Sequence, residues 1–226
     1  MKYLVANWKS NKSQEEVKQW AEVFKNLQSI NPEITLVVCP SFLHIPLVHQ
    51  LLPNLSLGAQ TLSQFPNGQY TGAVSALMLS EFVKFAILGH TERRKFFGET
   101  DQIVANQVLQ ALDFQITPIV AVEKNNWSSQ LAQFDSSHLS RMLVMYEPPE
   151  AVSSATQSHA ADLVDVKQAA QLIKSSYQVK GVLYGGSIDE QNIHTYFTDK
   201  DLDGVVVGYA SLDPEKFRKI LTLSLG

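Results

Sequence analysis

Three side chains able to move a proton and steady the charge it leaves behind stand at the ends of short apolar runs. Glu147 follows Leu143-Val144-Met145-Tyr146 and precedes Pro148-Pro149. A carboxylate at the end of a buried strand, held before two prolines that fix the backbone, suits a general base whose position matters more than its mobility. His90 lies in Gly89-His90-Thr91-Glu92-Arg93-Arg94, where a strand-like run gives way to a helix-like turn. The partial positive charge of a helix N-terminus disfavours imidazolium, leaving a neutral ring that can donate a hydrogen bond to a substrate oxygen. Lys9 ends Asn7-Trp8-Lys9, where a period of two places Asn7 and Lys9 on one face and Trp8 on the other. Each has an ordinary structural reading when taken alone: a snorkelling Lys, a His ahead of a charged surface turn, a solvent-facing Glu at a strand exit.

Two glycine-bearing segments, Tyr184-Gly185-Gly186-Ser187 and Gly208-Tyr209-Ala210-Ser211, are of a different kind. Glycines let backbone N–H groups approach an anion closely, although a Gly pair by itself most often marks a turn.

The elements that must position these groups follow from hydrophobic periodicity. Strand-like runs at 3–7, 34–39, 56–59, 85–88, 118–122, 143–146, 181–184 and 204–207 alternate with helical stretches at 13–29, 42–52, 76–82, 101–114, 128–140, 159–177, 190–197 and 214–223. Ser13 with Glu16 forms a capping box ahead of Val17, Trp20, Phe24 and Leu27 on one face. Asp213 and Pro214 open the last helix as N-cap and first helical residue. Strict strand–helix alternation implies a parallel sheet with helices outside, and eight units close into a (β/α)8 barrel. No Pro-, Gly- or Ser-rich linker interrupts the pattern, so residues 1–226 read as one α/β domain. An open doubly wound sheet ranks second, because it favours a G-x-G-x-x-G fingerprint after the first strand and none is present. In a barrel, polar residues at the C-terminal strand ends form the site, and the loops after strands seven and eight bind phosphate. Lys, His and Glu at the ends of strands one, four and six, joined by glycine loops after seven and eight, rarely line up by accident.

Composition excludes other classes. The 226 residues carry 18 Lys+Arg against 22 Asp+Glu, a net charge of −4, so there is no basic excess for nucleic acid. With 45% hydrophobic and 18% charged residues, a sizeable core is expected. Cys39 is the only cysteine, which rules out an internal disulfide or a paired-Cys zinc site and suits a reducing cytoplasm. The apolar run at the N-terminus is too short for a signal sequence or a membrane span, so no membrane partner is expected.

These segments, with Asn67-Gly68-Gln69-Tyr70-Thr71-Gly72 and Phe97-Gly98-Glu99-Thr100-Asp101, resemble the triosephosphate isomerase family over nearly the whole chain. The resemblance implies a TIM barrel and a cofactor-independent, metal-free aldose–ketose isomerase acting on dihydroxyacetone phosphate and D-glyceraldehyde 3-phosphate through an enediolate. It makes Glu147 the base, His90 the group that polarises the carbonyl, Lys9 the positive charge for the enediolate, Asn7 its support, and Glu92 a carboxylate beside Lys9. By the same resemblance, the His stays neutral beside the Glu base. The substrate phosphate falls to Ser153, Gly186, Ser187, Gly208 and Tyr209, with Tyr184 and Ser187 latching the lid. The third loop, Gln60 to Ser75, implies a homodimer.

The chain departs from the family pattern in four places. The lid lacks its two glycines and its Trp, reading Pro148-Pro149-Glu150 and then Ala151 to Thr156. Tyr209 replaces a glycine. The fifth strand ends Ala121-Val122-Glu123-Lys124, and so little chain follows before Leu143 that the fifth βα unit should be short. Ala73 replaces a Glu that would face Arg93, which should weaken the dimer. The competing reading is a catalytically impaired barrel that binds a phosphoanion or serves as a scaffold. A third, another phosphosugar epimerase or lyase, fits the four polar residues less well.

Overall fold

The computed structural model describes residues 1–25, 31–148, 151 and 160–224. Eight strands, β1 (Lys2–Asn7), β2 (Ile34–Cys39), β3 (Ser56–Ala59), β4 (Phe85–Leu88), β5 (Thr117–Val122), β6 (Leu143–Tyr146), β7 (Gly181–Tyr184) and β8 (Gly204–Val207), match the eight expected runs. Each pairs in parallel with the next, and β8 returns to β1, with Tyr3 beside Gly204 and Ala6 beside Val207. The sheet is thus the closed barrel, and the open-sheet alternative is set aside.

Alternation along the strands sorts the core into two layers. Tyr3, Val5, Val37, Cys39, Ile87, Ile119, Leu143, Met145, Leu183 and Val206 fill the barrel. Leu4, Ala6, Trp8, Leu88, Val144 and Val207 face outward against the helices. Asn7 shares parity with the inward Tyr3 and Val5, and Trp8 is buried in the outer layer against Trp20, as a period of two requires.

Among the described residues the helices are α1 (Gln14–Phe24), α2 (Ile45–Leu51), α3 (Ala76–Ser80), α4 (Thr91–Phe97), α5 (Asp101–Asp113), α6 (Trp127–Leu131), α7 (Ser136–Leu139), α8 (Leu163–Ser176), α9 (Ile193–Phe197) and α10 (Pro214–Leu223). The capping box at Ser13 forms, with the Glu16 N–H donating to Ser13 Oγ and the Ser13 N–H to Glu16 Oε2. Asp213 caps α10 through the N–H groups of Glu215 and Lys216. Residues 26–29 of the expected first helix, including Leu27, lie outside the described residues.

Three stretches differ from expectation. The turn after β4 is a two-turn helix, α4. The fifth unit is short, as expected, but its helix is divided into α6 and α7, because Asp135 accepts the His138 N–H and starts a new helix. The helix expected from residue 159 begins only at Leu163, where Asp162 accepts the Val164 N–H. No described helix is long and apolar enough to cross a membrane.

Candidate active site

The C-terminal strand ends converge as the barrel rule requires. Glu147 extends β6 by one residue: its N–H donates to Val122 O at 2.8 Å, and the next strand continues with the Gly185 N–H on Tyr146 O at 2.9 Å. It shares parity with Leu143 and Met145, so its side chain enters the barrel mouth, where the residue is only 1% exposed. Gly185 makes this room. A Cβ there would stand 2.5 Å from Met145 Cγ and 3.1 Å from Glu147 Cγ.

His90 is aimed by a break in the strand. Gly89 has φ +69°, a conformation that side chains rarely adopt, and it ends the alternation of β4. Arg94 holds the turn, donating through Nε to Gly89 O and pairing through Nη1 with Asp101, both at 2.7 Å. His90 is then the N-cap of α4, and its Nδ1 accepts the Glu92 N–H at 3.1 Å, one of the donors a helix start leaves unpaired. Because Nδ1 accepts, the ring carries its proton on Nε2. That Nε2 lies 3.1 Å from Glu147 Oε1.

Lys9 follows β1 in a left-handed turn, φ +51°, unusual for a residue with a Cβ. Asn7 steadies it: its Oδ1 accepts the Lys9 N–H at 3.1 Å. Gln60 Nε2 donates to the carbonyls of Lys9 (2.8 Å) and Cys39 (3.0 Å). The Lys9 ammonium meets Glu92 Oε1 at 2.7 Å. This pair is part-exposed and adds little stability, so its value is the placement of the charge.

Asn7, Lys9, His90, Glu147, Gly186 and Gly208 line one pocket. Gly186 and Gly208 also border a neighbouring space of about 280 Å³ lined by Ser187 and Tyr209, so the glycine loops adjoin the polar cluster. Tyr209 is 63% exposed, which accommodates the side chain that replaces a glycine. Ser187 Oγ donates to Ala151 O, and Tyr184 Oη accepts the Ala161 N–H, both at 2.9 Å. Ser153, expected at the phosphate, and Pro149 of the expected lid lie outside the described residues.

Sequence reasoning missed Gln60 and Thr91 as contributors to the site. The Thr91 N–H donates to Glu147 Oε2 at 3.0 Å, and its Oγ1 lies 2.9 Å from the same oxygen. Thr91 stands next to His90 and so could have been suspected; Gln60 is a long-range contact with no local signal. Arg93, from which Ala73 removes one expected partner, pairs within the chain with Glu99 at 2.6 Å and lies over the Phe97 ring.

A buried carboxylate, a neutral imidazole and an ammonium around one pocket can carry a proton along a carbon chain while the adjoining oxygen bears negative charge. Comparison with known proteins points the same way. The family model described as triosephosphate isomerase matches residues 2–224. A triosephosphate isomerase of Mesomycoplasma hyopneumoniae (strain 232) is 33% identical over 243 residues, covering 99% of each chain. One of Mycoplasmoides gallisepticum is 32% identical over 97% of each chain. One of Dehalococcoides mccartyi (strain CBDB1) is 34% identical over 96% of this chain and 94% of its own. With the closed barrel, a match of this length shows that the chain belongs to the triosephosphate isomerase family.

Proposed function

We propose that the protein interconverts dihydroxyacetone phosphate and D-glyceraldehyde 3-phosphate, the isomerisation shared by glycolysis and gluconeogenesis. The convergence of Glu147, His90 and Lys9 on one pocket beside the glycine loops carries this reading.

In the reaction Glu147 takes a proton from C1 of the ketose. The released electron pair forms the C1–C2 double bond, and the carbonyl π electrons pass to the C2 oxygen. That oxygen accepts a hydrogen bond from the Nε2–H of His90, which keeps its proton, and faces the Lys9 ammonium, so the developing charge meets donors already in place. The O1 proton then passes to O2, and Glu147 returns the carbon-bound proton to C2 as the C1 carbonyl forms. Atoms and charge balance without a cofactor. Backbone N–H groups of Gly186, Ser187, Gly208 and Tyr209, joined by Ser153, hold the phosphate.

The same reading includes a homodimer. Loop 60–75 presents Phe65 and Tyr70, stacked and both part-exposed. A space of about 280 Å³ beside Lys9, lined by Phe42, Gln60 and Phe97, suits such a loop from a second copy. A cytoplasmic location accords with the single thiol, which is fully buried. No observation favours a barrel that only binds a phosphoanion or serves as a scaffold.

Purified protein in an NADH-linked isomerisation assay should turn over both triose phosphates, and Glu147→Gln should abolish turnover. Equal rates for the two proteins, or none for either, would overturn the proposal.

A further inference from the structure

One hydroxyl stands between two carboxylates at the edge of the site. Thr91 Oγ1 lies 2.9 Å from Glu147 Oε2 and 2.9 Å from Glu123 Oε1. Glu123 is held firmly just past β5. Its N–H donates to Asn126 Oδ1 at 2.7 Å, and its carbonyl accepts the N–H groups of Asn126 and Trp127. A hydroxyl has one proton, so it donates to one carboxylate at a time.

Glu147 in this arrangement is parked. Its carboxylate accepts from the Thr91 N–H and the Thr91 hydroxyl and lies 3.1 Å from His90 Nε2, and to reach a substrate carbon it must give these contacts up. Leaving a part-buried donor unpaired is costly, while moving its proton to a second acceptor at the same distance is not.

We propose that Glu123 is a positioning residue for the base: it receives the Thr91 hydroxyl proton as Glu147 swings toward the substrate, so departure leaves no orphaned hydroxyl. The inference rests on the reading of Glu147 as the base. Glu123 touches neither reacting carbon nor phosphate, so its effect belongs in kcat rather than in substrate affinity.

The test is a set of variants in the NADH-linked assay. Glu123→Ala should lower kcat about tenfold, equivalent to about 1.4 kcal/mol of barrier, with KM within about twofold of the parent. Glu123→Gln keeps an acceptor oxygen at nearly the same place and should restore kcat to within about threefold. In a Thr91→Ala background the hydroxyl is gone, and adding Glu123→Ala should change nothing further. The inference is overturned if Glu123→Ala leaves kcat unchanged, if Gln is as poor as Ala so that charge is the working part, or if the loss persists without the Thr91 hydroxyl. Glu147→Gln separates the two readings. If it stays active, the base assignment has failed; if it is inactive while Glu123→Ala matches the parent, only the present inference has.

Discussion

Shortening Glu147 to Asp probes the base by distance alone. The backbone cannot advance to compensate, since residue 147 is bonded to Val122 O at 2.8 Å and the neighbouring strand is pinned at Tyr146 O. Pro148 fixes the next φ. The carboxylate therefore retreats by one C–C bond, about 1.5 Å. Its contacts at 3.0 Å to Thr91 N and 3.1 Å to His90 Nε2 then open past hydrogen-bonding range. A misplacement of about 1 Å costs roughly a hundredfold in rate. Two tenfold steps correspond to about 2.7 kcal/mol, a lower bound for the longer retreat. Glu147→Asp should thus lower kcat at least about a hundredfold, while KM stays within about twofold because the glycine loops are untouched. Initial rates in both directions in the NADH-linked assay read this directly, with a thermal melt to verify the fold. A kcat within about threefold of the parent, or a loss confined to KM, would refute the assignment.

Other consequences are as open to measurement. Glyceraldehyde lacking phosphate should show kcat/KM lower by several tenfold steps, since binding energy at the glycine loops is expected to drive the chemical step; comparable values would uncouple phosphate from catalysis. Gly186→Ala would place a Cβ 2.1 Å from Tyr184 Oη, forcing that ring off the Ala161 N–H. It should destabilise by about 1–3 kcal/mol and raise KM, and an unchanged melt with unchanged KM would contradict the packing. Burial pushes the Cys39 thiol up, so the unfolded chain ionises first. Stability from this group, fully present below pH of about 8.5, should fall by up to about 1.4 kcal/mol per unit above it, and Cys39→Ala should flatten that slope in urea titrations. Sedimentation over a dilution series should show a dimer dissociating, and a fully active monomer at every concentration would exclude the loop-mediated pair.

Much of this protein is legible in the chain because its main signals are local. A period of two marks strand faces and so sorts Asn7 from Trp8. Ser13 and Asp213 name helix starts because their bonds reach only two or three residues, and Pro214 because its missing N–H costs nothing at the first helical position. Alternating strands and helices imply a parallel sheet and leave few topologies, and strand ends then mark Lys9, His90 and Glu147 as site residues. The division of the fifth unit at Asp135 was also a local signal, an N-cap within a stretch read as one helix.

What tertiary structure alone decided is where those groups stand and in which state. The His90 tautomer follows from a helix start that needs an acceptor at Nδ1. The left-handed turn at Lys9 depends on Gln60, 51 residues away. The meeting of Glu123 with Thr91 arises from neighbouring barrel loops that periodicity does not connect. Periodicity reports which face a side chain occupies. A hydrogen bond at 2.9 Å between residues 32 apart depends on closure of the whole barrel, and only the folded chain supplies it.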